Sequence, residues 1–154
     1  MKLMMNKCYS LVFKFKQSRM ILIRKFSFNF KDNLTDIFNL INEAYKIELG
    51  EDGVAFKKFD RVMSIDELRV DELHIATSED NTDTAVVVGA VIIHVRDEDG
   101  VAEIGPLAVS PSYQGQGIGS LLLKYAEERH KVTEIGLVSC RTDLEGFYSK
   151  RGYR

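Results

Sequence analysis

Apolar residues change period several times along the chain, and each change marks an element. Met20 to Phe26 (MILIRKF) reads as a first strand. Leu34, Ile37, Phe38, Ile41, Ala44 and Tyr45 then recur at helical spacing, with Asp32 or Asn33 placed to cap the orphan amides. Gly50 to Gly53 (GEDG) breaks that helix, and Ser64-Ile65-Asp66-Glu67 is a capping-box pattern that predicts a second, shorter helix toward Leu73, with a loop as the alternative. From His74 the pattern is that of strands: residues 74 to 77, Ala85 to Val95, and, after the turn Asp97-Glu98-Asp99-Gly100, Val101 to Val109. The unbroken apolar run AVVVGAVIIHV predicts a strand covered on both faces. Ile118, Leu121, Leu122, Tyr125 and Ala126 mark an amphipathic helix whose outer face carries Lys124, Glu127, Glu128 and Lys131. Residues 134 to 140 (EIGLVSC) are the next strand, and Thr142 with Glu145 forms a capping-box pattern before a last helix bearing Leu144, Phe147, Tyr148 and Arg151, which stops at Gly152. The predicted order is β-α-α-β-β-β-α-β-α, an α+β domain with helices on a mixed, mainly antiparallel sheet.

Composition changes this picture in two places. Residues 1 to 31 hold eight basic side chains and no acid, leaving 13 basic and 23 acidic groups on the other 123 residues. So acidic a body excludes a nucleic-acid-binding domain, which needs clustered Lys and Arg to neutralise phosphates. Residues 1 to 19 are read as a basic extension loosely attached to a domain spanning 20 to 154, with a mitochondrial targeting segment as the alternative; their apolar runs are too short to span a membrane. Cys8 and Cys140 form neither a disulfide framework nor a metal spacing, which favours a reducing, cytoplasmic setting. His74, His94 and His130 likewise show no metal spacing, and no metal is expected.

The candidate chemistry lies in Gln114-Gly115-Gln116-Gly117-Ile118-Gly119-Ser120, between a strand end and a helix start. There the backbone amides lack partners and the helix dipole favours an anion. Gly115, Gly117 and Gly119 remove side chains from the path of a phosphate. A dinucleotide fingerprint is excluded, because Ser120 stands where its third glycine is needed, and a Walker A loop is excluded, because no lysine occurs before Lys124.

This loop, preceded by Glu103-Ile104-Gly105-Pro106-Leu107-Ala108-Val109-Ser110-Pro111 and followed by Phe147-Tyr148-Ser149-Lys150-Arg151-Gly152-Tyr153, resembles the GNAT superfamily of N-acetyltransferases. The resemblance implies acetyl-CoA as cosubstrate, with the backbone of Leu107 and Val109 pairing with the pantetheine arm, Ala108 between them in the same cofactor-binding segment, and the amides of Gln114 to Ser120 holding the pyrophosphate. It also implies that the Leu107 amide faces the thioester oxygen, that Tyr148 protonates the departing thiolate, with a tyrosine packed in the helix like Leu144 and Phe147 as the alternative, and that Glu103 is a general base acting directly or through water, with a surface carboxylate of a hairpin strand as an equal alternative. Alternation places Glu103 on the face of Gly105 and Leu107. Pro106 departs from the commoner residue of the pattern and is read as a bulge where the strand leaves its neighbour.

The expected activity is transfer of an acetyl group to a primary amine by direct attack, on a small molecule or on a protein lysine or N-terminus, the acidic body favouring cationic acceptors. A CoA-binding module without turnover is the alternative. The family pattern continues with two more strands after the segment like Phe147 to Arg154, so the sequence predicts an open acceptor pocket, weak transfer and a tendency to self-associate through the exposed sheet edge.

Overall fold

In the computed structural model, residues 11–14, 20–28, 33–46, 61–70, 72–79, 85–130, 133–136 and 142–154 are described. The Gly50 to Gly53 break, Asp32, both cysteines, residues 137 to 140 and the side chain of Thr142 lie outside them.

Among the described residues six strands form one sheet in chain order: β1 (Leu11–Lys14), β2 (Met20–Lys25), β3 (Leu73–Glu79), β4 (Val86–Val95), β5 (Ala102–Val109) and β6 (Thr133–Ile135). All neighbours are antiparallel except β5 and β6, which run parallel. Helix α1 (Leu34–Tyr45) packs on one face, and α2 (Ile118–Glu127) and α3 (Thr142–Ser149) on the other. On the α1 face the core joins Ile37, Leu40 and Ile41 to Ile75, Ala90, Ile92 and Ala108. On the α2 face Ile118, Leu122 and Leu123 meet Ile23, Val88, Val91, Ile93 and Ile104. The run Ala90 to Ile93 is buried throughout because successive residues enter opposite cores, each large side chain contributing about 1.5–3 kcal/mol by leaving water.

The capping residue of α1 is Asn33, whose side chain accepts from the Thr35 amide at 2.9 Å. The expected second helix is only a four-residue 3-10 turn, Ile65–Leu68. Its capping box is present: Glu67 Oε1 accepts the amides of Met63 (3.2 Å) and Ser64 (3.1 Å). Arg69, at φ 44, is left-handed and ends the turn before a second one forms.

Two expectations are corrected. The apolar pattern places no element before Met20, yet Leu11–Lys14 pairs with Met20–Ile23 as the outer strand of the sheet. Its four residues are too few for a period to register amid lysines, which are themselves usual on an edge strand. The second correction concerns β5. Val91 faces Leu107 and Ile93 faces Ile104, so Ile92 alone opposes both Gly105 and Pro106. This is a β-bulge at the proline, and it reverses the alternation of side chains beyond it. Ala102 and Ile104 join the α2 core, and after the bulge so do Leu107 and Val109, whereas Ala108 joins the α1 core. Glu103 therefore does not share a face with Leu107.

Candidate functional site

Among the described residues β6 pairs with Ala102, Glu103 and Ile104 only, and past the bulge no described strand pairs with the outer edge of β5. A cavity of about 470 Å³ lies along this edge. Leu107, Ala108 and Val109 form one wall, Gln114, Gly115, Gly117, Ile118, Gly119 and Ser120 a second, and Phe147 and Tyr148 from α3 a third. Ala44, Tyr45 and Arg61 close it from the α1 side. The sequence thus places most of its candidates in one hollow; Gln116 and Glu103 do not line it.

The glycines act differently from one another. Gly115 (φ +73°) and Gly117 (φ +85°) are left-handed, with nothing within 4 Å of a Cβ added to either. Only glycine takes these angles without strain, and the space they leave is open. Gly119 is helical; a Cβ there would lie 3.7 Å from Leu107 and Val109, an ordinary contact. Gly117 caps α2, and the first helical bond runs from the Leu121 amide to the Gly117 carbonyl at 3.1 Å. The amides of Ile118, Gly119 and Ser120 precede that ladder and carry the positive end of the helix dipole. The Gln114 side chain fastens the loop back to β5, donating from Nε2 to the Val109 carbonyl at 3.0 Å.

A cation stands beside this loop that the apolar pattern marks only as a helix-face residue. Arg151 lies over the Phe147 ring at 3.9 Å and donates to the Phe147 carbonyl and to Ser120 Oγ, both at 2.6 Å. Its guanidinium adds full charge next to the partial charge of the helix end.

At the open edge, Leu107 turns both backbone groups outward. Its amide donates to the Tyr45 hydroxyl (3.2 Å), and that hydroxyl donates to the Leu107 carbonyl (3.3 Å). In sequence Tyr45 is only the last apolar position of α1, because nothing local signals a partner 62 residues away. Tyr148 is 8% exposed and packs edge-on against Phe147 (4.9 Å) and Tyr153 (5.9 Å). Glu103 is exposed, facing His94 on β4 and Glu134 on β6. Among the described lining residues Arg61 is the one ionised side chain, and among all described residues no group of three metal-ligating side chains occurs. No helix of the described residues is long and apolar enough to cross a membrane.

The sequence model of the acetyltransferase (GNAT) family matches residues 34–153. The chain belongs to that family. The described α1, β3 to β6, α2 and α3 all fall inside the matched GNAT span. Solved GNAT structures share the fold at low identity. An acetyltransferase from Listeria monocytogenes superposes with a TM-score of 0.64 at 16% identity, covering 88% of this chain and 87% of its own. One from Brucella melitensis, solved in complex with acetyl-CoA, gives 0.59 at 20% identity over 87% and 82%. The aminoalkylphosphonate N-acetyltransferase of Salmonella typhimurium is 35% identical over 77 residues, 44% of this chain. The chain spans about half the length of that relative.

Proposed function

We propose that this GNAT chain is an acetyl-CoA-dependent N-acetyltransferase that transfers the acetyl group to a primary amine by direct attack. One observation carries the reading: a left-handed glycine loop at a helix N-terminus and an open strand edge at Leu107 face the same 470 Å³ cavity. An extended ligand with phosphates at one end and amide and thioester groups along its arm needs both features, in that arrangement. The Brucella relative, solved with acetyl-CoA, supports the same assignment.

In this mechanism the Ile118 to Ser120 amides, the Gly115–Gly117 backbone and the nearby Arg151 hold the pyrophosphate. The Leu107 amide exchanges the Tyr45 hydroxyl for the thioester oxygen and stabilises the charge that develops there. The amine nitrogen attacks the carbonyl carbon, the carbon–sulfur bond breaks, and the Tyr148 phenol gives its proton to the thiolate. The ammonium proton leaves to water, and Tyr148 is reprotonated from solvent.

The test is release of CoA thiol from acetyl-CoA in the presence of a panel of amines. Transfer to at least one amine is expected, and Gly117→Val is expected to raise the KM for acetyl-CoA at least about tenfold with helical content kept, since valine at positive φ is strained and fills the phosphate's path. Calorimetric CoA binding with no thiol release across the panel would leave a binding module instead. Unchanged acetyl-CoA affinity in Gly117→Val would remove the loop from the site.

A further inference from the structure

We infer that the amine acceptor is a small molecule that also carries an oxyanion, a carboxylate or a phosphonate, and that Arg61 recognises it. This rests on the acetyltransferase reading and narrows it. Arg61 is held at the cavity wall by its C-terminal neighbours in the chain. The side chain of Asn42, 7% exposed on α1, accepts from the Val62 amide and donates to the Val62 carbonyl, both at 2.9 Å. Val62 is itself 3% exposed in the α1 core, and two residues on the Ser64–Glu67 capping box and the buried Leu68 fix the chain again. Two buried hydrogen bonds and two core side chains thus set the backbone from which Arg61 projects.

Its guanidinium carbon lies 5.4 Å from the centre of the Tyr45 ring, whose hydroxyl is on the Leu107 amide. Tyr45 stands between Arg61 and the backbone group that faces the thioester oxygen in the proposed mechanism. Arg61 is therefore near the reacting end of the cavity, on the α1 side, whereas the glycine loop and Arg151 serve the phosphate end. Arg61 and the Leu107 amide each contact the same Tyr45 side chain, which places an anion at Arg61 and an amine at the thioester within reach of one short molecule.

The sign of the charge selects the class of acceptor. Beyond residue 31 the chain holds 13 basic against 23 acidic groups, yet the one ionised side chain among the described lining residues is this arginine. A polyamine or a lysine side chain would bring a second cation against it with no described carboxylate in the lining to offset the repulsion. A carboxylate or phosphonate instead meets a planar donor fork suited to bidentate contact. The expectation of cationic acceptors, drawn from the charge of the whole body, does not extend to this cavity.

The experiment compares acceptors matched in length: propylamine, β-alanine, 2-aminoethylphosphonate, 1,3-diaminopropane and a short peptide with a free N-terminus. At least one oxyanionic amine is expected to exceed propylamine by about tenfold or more in kcat/KM, the β-alanine and aminoethylphosphonate arms showing which oxyanion fits. Arg61→Gln is expected to raise the KM for that acceptor by about ten- to a hundredfold, with the KM for acetyl-CoA unmoved, and Arg61→Lys to recover part of the loss. Thermal melting of both variants checks folding, which an exposed side chain does not govern. Preference for propylamine, the diamine or the peptide, or an unchanged acceptor KM in Arg61→Gln, would overturn the inference while leaving acetyl transfer intact. No transfer to any amine would overturn both.

Discussion

Leu107 and Glu103 are four residues apart on one strand, and the bulge between them sends their side chains to different faces. That separation assigns unequal weight to the two side chains the family resemblance offers for catalysis. Tyr148 lines the cavity and is nearly buried; Glu103 is exposed outside it. Tyr148→Phe keeps the ring contacts with Phe147 and Tyr153 and removes the hydroxyl that would donate the proton, so kcat is expected to fall by about a hundredfold or more with the KM for acetyl-CoA little changed. Glu103→Gln is expected to stay within about twofold of the parent at neutral pH, as substitutions away from the site do. Steady-state rates for the two variants decide the matter: a large loss in Glu103→Gln restores it as a base acting through water, and parent kinetics in Tyr148→Phe remove the proton donor. The glycine loop is legible in the sequence because its spacing is local, and Tyr148 is singled out there only by the family resemblance. Tyr45, Arg61 and Arg151 are not legible there, since each reaches its role through a contact made only when the chain closes on itself.

At the level of elements the same division holds. Helices α1 and α2 and strands β3 to β5 follow from apolar period, because each buries a face long enough to show it. A bulge leaves no such trace, and one unpaired residue reverses every face beyond it. Pro106 is the available signal, and it marks the place correctly without telling which way the side chains beyond it point. The approach of α2 to the sheet is equally hidden in composition and rests on Gly89 of β4. A Cβ at that position would lie 3.0 Å from Leu122 Cδ1, 3.1 Å from the Ala108 carbonyl oxygen and 3.4 Å from Ile118 Cγ2. The leucine can turn aside, but the backbone oxygen of β5 moves only with the strand. Gly89→Ala is thus expected to cost about 1–3 kcal/mol in denaturant unfolding, as overpacked cores do. Because Ile118 opens the helix whose first amides are proposed to hold the pyrophosphate, CoA affinity should weaken in the same variant. A stability equal to the parent's would show that α2 is free to shift, and that its distance from β4 is not set by this glycine.

Across the whole molecule, helices on both faces of one sheet leave the central strands little contact with water, and β3 carries a titratable group into that interior. The His74 ring packs against Tyr125 of α2 at 5.3 Å, and its Nδ1 donates to the Glu72 carbonyl at 3.0 Å. Burial lowers its pKa from 6.5 to about 4, in spite of the carbonyl contact and with smaller contributions in the same direction from Lys25, Arg129 and His130. The folded chain therefore binds fewer protons at this position than the unfolded chain between pH 6.5 and about 4. Stability is fully present above pH 6.5, falls as the pH drops, and levels off near 4, where the folded form takes up the proton as well. Between pH 7.5 and pH 5 the loss from this one group is about 2 kcal/mol, large against the 5–15 kcal/mol typical of a domain. Other side chains also titrate over this range, so the measurement is a difference. Denaturant unfolding of the parent and of His74→Gln at both pH values should show the parent losing more, by about that amount. Equal losses in the two proteins would mean that the imidazole protonates as readily in the folded chain as in the unfolded one, and that the cover of α2 over β3 opens enough to admit the charge.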